Sequence, residues 1–294
     1  MLAGEYLEQW LNTFVRPFRA PNTTACYQRA ISSLPACVSG CDLAALDGMA
    51  IQAAINQQAA KHPRAAQLTF ATLHVAFAKA VQLGYLPRHP MAACVKPVHQ
   101  PKKAAFLTPA QMATYIEAAR SEPCFPLLLL IATMGLRRSE ALGLQWPAVD
   151  LAQGVVHITQ QRLRVHHGLQ LRPLKSKASR RVLPIPAPVA AELAAWRADQ
   201  RVISFSGYVY DTNPDSLRKA HLRAVAKAEL PGVTLHGLRH SMATAAAVTG
   251  CPMKILQGIL GHSTFELTAN LYADHIATVD YTPHMARVAS AVLG

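Results

Sequence analysis

The sequence predicts a mostly α-helical protein of two domains, the second interrupted by a small antiparallel sheet. Length and composition point to this first: 294 residues exceed the usual single core, and 51% hydrophobic against 15% charged residues is the composition of a folding chain. Apolar residues then recur at helical spacing through the first hundred positions. Strand-like alternation, by contrast, is confined to a stretch between residues 155 and 185.

The first helix is read from Leu2, Tyr6, Leu7, Trp10, Leu11 and Phe14. A second starts near Asn22-Thr23-Thr24, where a short polar side chain can cap it, and runs through Tyr27 and Ile31. Asp47 caps a third covering Met49 to Ala60, and Arg64 to Leu83 form a fourth that Gly84 ends. Trp10, Phe14, Phe70 and Phe77 are expected in the core of this domain. Leu86 to Pro90 and Lys96 to Lys103 are Pro-rich, basic and without periodicity, which places a linker and a boundary near residue 100.

Beyond the linker, Thr108-Pro109 is an N-cap followed by proline at the first helical position, and its helix runs to about Ser121. Pro126 to Thr133 is apolar nearly all round and reads as a buried helix. The β-like segments are Val155–Thr159, Gln161–Val165, Leu169–Leu171 and Arg181–Ile185, with His167-Gly168 as a turn. From Pro188 the pattern is helical again, interrupted near Ser204 to Tyr210.

The formal net charge is +13 with a pI near 9.8, which favours a polyanionic partner because cations at phosphates release condensed counterions. Residues 1–100 carry 8 basic and 4 acidic side chains and residues 101–294 carry 21 and 12, so both parts are basic. Cys26, Cys37, Cys41, Cys94, Cys124 and Cys251 form no disulfide or zinc framework and read as buried thiols of a reducing, cytoplasmic compartment. The first residues lack the positive charge of a signal peptide, and the apolar run from Pro126 to Leu136 is too short to span a membrane. No membrane association is expected.

Four segments of the second domain carry residues suited to phosphate chemistry. Thr133 to Leu142 (TMGLRRSEAL) ends a buried helix at Gly135 and delivers Arg137 at the start of a new turn. Pro173 to Arg181 (PLKSKASRR) is a basic loop before a strand. His236-Gly237-Leu238-Arg239-His240 is the third, and Leu260-Gly261-His262, followed ten residues on by Tyr272, is the fourth.

Taken in order and at these spacings, the segments resemble the tyrosine recombinase (phage integrase) family, of the Xer and integrase kind. The signature of that family is an Arg, a Lys on a β-hairpin, an H-x-x-R pair, a His or Trp after Leu-Gly, and a Tyr nine or ten residues later. The resemblance implies a helical core-binding (SAM-like) DNA-binding domain over residues 1–97, a basic linker over 98–105, and a mixed α/β catalytic domain with a C-terminal tail over 106–294. It implies site-specific cutting and rejoining of DNA through a 3′-phosphotyrosyl intermediate, with no metal and no cofactor. The catalytic residues it implies are Arg137, Lys175, His236, Arg239, His262 and Tyr272.

The chemistry explains the residue types. Attack on a phosphodiester loads negative charge onto its non-bridging oxygens, and guanidinium donates to such oxygens in a planar fork without deprotonating. Tyrosine is a poor nucleophile at its reference pKa of about 10 and needs a base, for which the resemblance supplies His236. The departing 5′ oxygen needs a proton, for which it supplies Lys175, while His262 hydrogen-bonds the phosphate. Lys177, two residues along the same loop, stays open as the acid, and Tyr281 as a competing tyrosine. Glu140 buttresses an Arg or caps its turn. The seven basic residues from Arg162 to Arg181, with no acidic residue among them, are expected to contact DNA phosphates.

The implied partner is double-stranded DNA, held by both domains and joined by a homo-tetramer on two DNA sites, with accessory DNA-bending proteins as further candidates. The tail from Ala273 to Gly294 carries Ile276, Val279, Val288 and Val292 at roughly helical spacing and is expected to pack on a neighbouring protomer. No arm-binding domain is expected before the helical one. Two alternatives stay open: a type IB topoisomerase-like enzyme, separated by oligomer formation on DNA, and a non-catalytic DNA-binding protein on the same scaffold, separated by Tyr272→Phe.

Overall fold

The computed structural model describes residues 1–100, 105–165, 168–199 and 207–264, with single positions 266, 269 and 290. The chain divides into two compact units, Met1–Lys102 and Lys103–Gly294.

The first unit is built from α1 (Ala3–Trp10), α2 (Pro21–Ser32), the short α3 (Ala36–Ser39), α4 (Gly48–Lys61) and α5 (Pro63–Gln82). Leu7, Leu11, Ile51, Ile55, Leu73 and Phe77 form its core, with Phe70 packed at the edge. Buried Tyr6 donates its hydroxyl to the carbonyl of Ala76 at 2.7 Å, so it holds α1 on α5. Asp47 caps α4 through the N–H of Ala50, and Gly84, at φ +76°, follows α5.

Two details depart from the sequence reading. α2 begins at Pro21 rather than at Asn22, because proline fits the first helical position, and its N-cap is Ala20, which makes no side-chain bond. Phe14 is exposed rather than core. Residues Leu11–Val15 form a π turn, closed by the N–H of Arg16 on the carbonyl of Leu11 at 2.9 Å. The wider turn inserts a residue into the repeat, so Leu11 and Val15 face inward and Phe14 swings out, where the ammonium of Lys79 covers its ring.

The second unit opens with α6 (Pro109–Ala119), started by a capping box between Thr108 and Gln111. α7 (Phe125–Met134) is buried on nearly every side and forms the centre against which α6, α9 (Ala187–Asp199) and α11 (Leu235–Val248) pack. Met134 is followed by Gly135 in the left-handed conformation, and the chain turns into α8 (Arg138–Gly143).

Strands β1 (Val149–Asp150), β2 (Val155–Ile158) and β5 (Arg181–Pro184) form one antiparallel sheet in the order β1-β2-β5. β3 (Gln160–Val165) and β4 (Gly168–Pro173) form a separate hairpin in which Val165 faces Gly168. The expected turn at His167 falls outside the described residues. α10 (Pro214–Lys227) and α12 (Met253–Leu260) complete the unit. The expectation of uniformly buried thiols does not hold: Cys124 is buried, Cys37 is exposed, and the other four are intermediate. No described helix is long and apolar enough to cross a membrane.

One glycine lets the hairpin approach the helix that carries the first motif. A Cβ on Gly143 would stand 2.8 Å from the backbone nitrogen of Arg162 and 2.9 Å from the Cα of Gln161. Backbone on both sides cannot swing away as a side-chain tip would. Gly143→Ala is therefore expected to lose about 1–3 kcal/mol in urea denaturation, the usual cost of overpacking. An unchanged midpoint would show that β3 has room to move.

Candidate active site

α7 delivers the first motif, because its left-handed end at Gly135 turns the chain and makes Arg137 the N-cap of α8. Thr234 caps α11 through the N–H of Gly237, and this first turn presents His236 and Arg239. The carbonyl of Val233, just before that cap, accepts from Nε2 of buried His221 at 2.8 Å. Nδ1 of His221 therefore accepts from the hydroxyl of buried Tyr115, 3.0 Å away. Burial holds the pKa of His221 below its ordinary value, which keeps this strut neutral.

Arg239 is almost fully buried, yet both of its terminal nitrogens are used by backbone. Nη1 donates to Gly135 O at 2.5 Å and Nη2 to Leu260 O at 2.6 Å. Arg137, with its side chain 32% exposed, donates to Gly261 O at 2.7 Å and to Glu140 Oε1 at 2.6 Å. Each guanidinium has five N–H bonds, so each keeps donors for a ligand. Burial first, then the charge of Arg137, pulls the pKa of Arg239 down to about 9, which leaves it charged at neutral pH.

Glu140 is the acidic counterweight. Its side chain is fully enclosed; it accepts from Arg137 N–H at 2.9 Å, from the Arg137 guanidinium, and from Arg181. Burial alone would raise its pKa, but the hydrogen bonds and charge of Arg181, with those of Arg137, outweigh that and hold it below the usual carboxylate value. Glu140 thus both buttresses an Arg and caps the turn. Removing one partner of such a buried pair typically costs about 3–5 kcal/mol.

Arg137, His236 and Arg239 line one open cleft of about 520 Å³, with Arg138, Ser139 and Arg218 around it. His236 stands at its open side. Partial desolvation, then the positive charges of Arg239, His240 and Arg137, lower its pKa and favour the neutral ring. His262 follows Gly261 directly. Burial, with Arg239, Arg137, His236 and Arg181 adding to it, lowers its pKa to about 4.

The basic loop before β5 packs against the same place. Gly261 has φ +62°, and a Cβ there would meet the Cα of Ser179 at 3.2 Å and the carbonyl of Ala178 at 3.3 Å. Only glycine allows both the left-handed turn and this approach. Lys175 and Lys177 are both exposed on the loop. Lys175 lies just beyond the β3–β4 hairpin, not within it. Tyr272, Tyr281 and the tail from Ala273, apart from Ser290, lie outside the described residues.

Comparison with known proteins settles the kinship. Residues 105–278 match the model of the Phage integrase family, more than half of the chain. The chain belongs to that family. A tyrosine recombinase XerC-like protein of Caldanaerobacter subterraneus subsp. tengcongensis is 26% identical over 308 residues, spanning 92% of this chain and 78% of the relative. Two further relatives are much longer, the chain spanning 36% and 41% of their lengths. The fold resembles the Tn1549 transposon integrase in complex with a circular intermediate DNA, at TM-score 0.80 and 20% identity over the whole of both chains. It also resembles a lambda integrase tetramer bound to a Holliday junction, at TM-score 0.71 and 17% identity, covering 92% of this chain and 77% of that one.

For this integrase-family chain, the structure brings Arg137, His236 and Arg239 to one cleft, with His262 near enough for their charges to act on it. Lys175 stands on a loop whose far end touches the same helix terminus. Three of the seven basic residues from Arg162 to Arg181 are paired with carboxylates: Arg162 with Asp211 and Arg181 with Glu140, both arginines with little exposure, and Arg164 with Asp215 at the surface. Arg162 also lies over the ring of Tyr208, 4.3 Å from its centroid.

The sequence reading assigned no role to His221 and gave Arg181 only a phosphate contact, where the structure has it paired with Glu140. Arg181 had a signal, since it shares the inward face of its strand with Leu183 and Ile185, where a charge needs a buried partner.

The depressed pKa of His262 makes a pH prediction. Between pH 4 and its ordinary 6.5 the folded state holds fewer protons on this ring than the unfolded chain does. Its contribution to stability is therefore full above 6.5 and lost as pH falls toward 4. Thermal melts of the DNA-free protein should show a smaller drop between pH 6.5 and 4 for His262→Asn than for the parent. Identical pH dependence would mean that the ring is not held neutral.

Proposed function

We propose that this chain is a site-specific recombinase that cuts and rejoins duplex DNA through a 3′-phosphotyrosyl bond to Tyr272. The observation that carries the reading is the pair of guanidiniums, Arg137 and Arg239, fixed by backbone carbonyls beside His236 with N–H bonds left over. Such a pair, fixed before substrate arrives, suits the two non-bridging oxygens of a phosphodiester whose charge grows during attack. A donor of this kind is typically worth about 3–4 kcal/mol in the transition state.

In the proposed step, the phenolic oxygen of Tyr272 attacks phosphorus and its proton passes to His236, whose neutral ring is ready to accept it. The bond from phosphorus to the 5′ oxygen breaks, and Lys175 protonates that oxygen. His262, neutral in the free protein, donates to the phosphate. The phosphotyrosyl bond conserves the phosphodiester energy, and a 5′ hydroxyl reverses the sequence to reseal a strand.

The helical first unit and the linker are assigned to gripping DNA, in keeping with their basic excess. Assembly as a tetramer on two sites, with the tail of each protomer packing on a neighbour, is part of the same reading. A lambda integrase tetramer bound to a Holliday junction, similar in fold, supports the tetramer.

The test is covalent trapping on nicked duplexes carrying the chain's own site. Tyr272→Phe should keep DNA affinity and form no adduct, and the adduct peptide of the parent should contain Tyr272. Cleavage should persist in excess EDTA, because side chains supply the cationic charge. An adduct on Tyr281, or cleavage restored only by added magnesium, would overturn the assignment.

A further inference from the structure

Arg181 is the most heavily committed cation among the described residues of the second unit. Its side chain is 6% exposed, and four of its five N–H bonds are taken. Nε donates to Ile259 O at 2.7 Å, Nη1 to Ser179 O at 3.0 Å and to Glu140 Oε1 at 3.2 Å, and Nη2 to Glu140 Oε2 at 2.9 Å. One planar group thus joins the loop before β5, the end of α12 and the acidic residue of α8. With one N–H bond left and no place in the lining of the cleft, it is not set to hold a phosphate as Arg137 and Arg239 are, each with three N–H bonds left.

The loop it holds is a short arch. Leu174 is buried at one foot and Ser179 at the other, with the hydroxyls of Ser176 and Ser179 2.9 Å apart. Lys175 and Lys177 stand on its exposed side. The second foot is fixed twice, by Arg181 on the carbonyl of Ser179 and by the close approach of Gly261 to Ala178 and Ser179. Gly261 is also the residue whose carbonyl holds Arg137 and which precedes His262.

We propose that Arg181 is a positioning residue of strand cleavage: it sets the lysine-bearing loop against the end of α12 that holds Arg137 and Arg239 and leads into His262. The proposal rests on the recombinase reading above. Without Arg181 the second foot loses its side-chain anchor, and the proton donor drifts from the leaving oxygen while the phosphate-binding arginines keep their backbone partners. A misplacement of about 1 Å in a reacting group costs on the order of 100-fold in rate.

The experiment compares single-turnover adduct formation by the full chain on nicked duplexes with either oxygen or sulfur at the 5′-bridging position of the scissile phosphate. A thiolate leaves with little need for a proton, so the sulfur substrate reports on the acid alone. Arg181→Gln should slow the oxygen substrate about 100-fold with DNA affinity nearly unchanged, and the sulfur substrate less than about tenfold. Lys175→Ala, or Lys177→Ala if that residue is the acid, should give the same pattern. Arg181→Lys should fall between parent and Arg181→Gln.

Arg181→Gln leaves Glu140 short of a partner, so the double variant Arg181→Met with Glu140→Gln guards against unfolding. It should show the same sulfur rescue. Equal slowing on both substrates, or none on either, overturns the positioning role. A parent protein that forms no adduct on either substrate would instead overturn the recombinase reading.

Discussion

Three guanidiniums close on the end of one short helix, and the arrangement of the second unit depends on that contact. Helix α12 ends at the left-handed Gly261, and its last carbonyls have no partner within the helix. Ile259 O accepts from Arg181, Leu260 O from Arg239 and Gly261 O from Arg137, at 2.6–2.7 Å. These carbonyls are the negative end of a helix dipole, roughly half a charge, aimed at three cations. They offset part of the repulsion that would otherwise drive the guanidiniums apart.

Glu140 supplies the rest. Its single buried charge sits between Arg137 and Arg181, and the three side chains sum to one positive charge, to which Arg239 adds another. The excess stands at the open cleft that Arg137 and Arg239 line. The consequences appear in the neighbouring histidines: His236 and His262 are both pushed toward the neutral ring by desolvation and by this positive field. An arriving phosphate reverses that pressure on His262, because a negative neighbour favours the protonated ring. The neutral His236 is left able to accept a proton. In the proposed reaction, positive charge held by backbone dipoles, not by substrate, would let one set of residues bind the phosphate and favour its transition state.

Much of this was legible in the sequence where the governing interactions are local. Thr108 and Asp47 announced their helices through capping, Gly84 marked the end of α5, and unbroken apolar character marked α7. The H-x-x-R spacing puts His236 and Arg239 one turn apart on α11, so their shared cleft follows from helical period alone. What escaped was long-range or geometric. Tyr115 and His221 meet across 106 residues, and no local pattern links them. Phe14 obeyed the helical repeat on paper, but the π turn broke that repeat. The basic run from Arg162 to Arg181 looked uniform, although three of its members face carboxylates contributed by distant segments.

The central claim is that Arg137 and Arg239 serve by neutralising charge on the scissile phosphate. The most direct measurement is cleavage of a duplex in which one non-bridging oxygen of that phosphate is replaced by a methyl group, which removes one negative charge and preserves shape. Arg137→Ala should be nearly inactive on the natural phosphodiester and regain cleavage on the methylphosphonate, since one fewer charge needs stabilising. If Arg137→Ala is equally inactive on both substrates, Arg137 does something other than neutralise charge, and the account is contradicted.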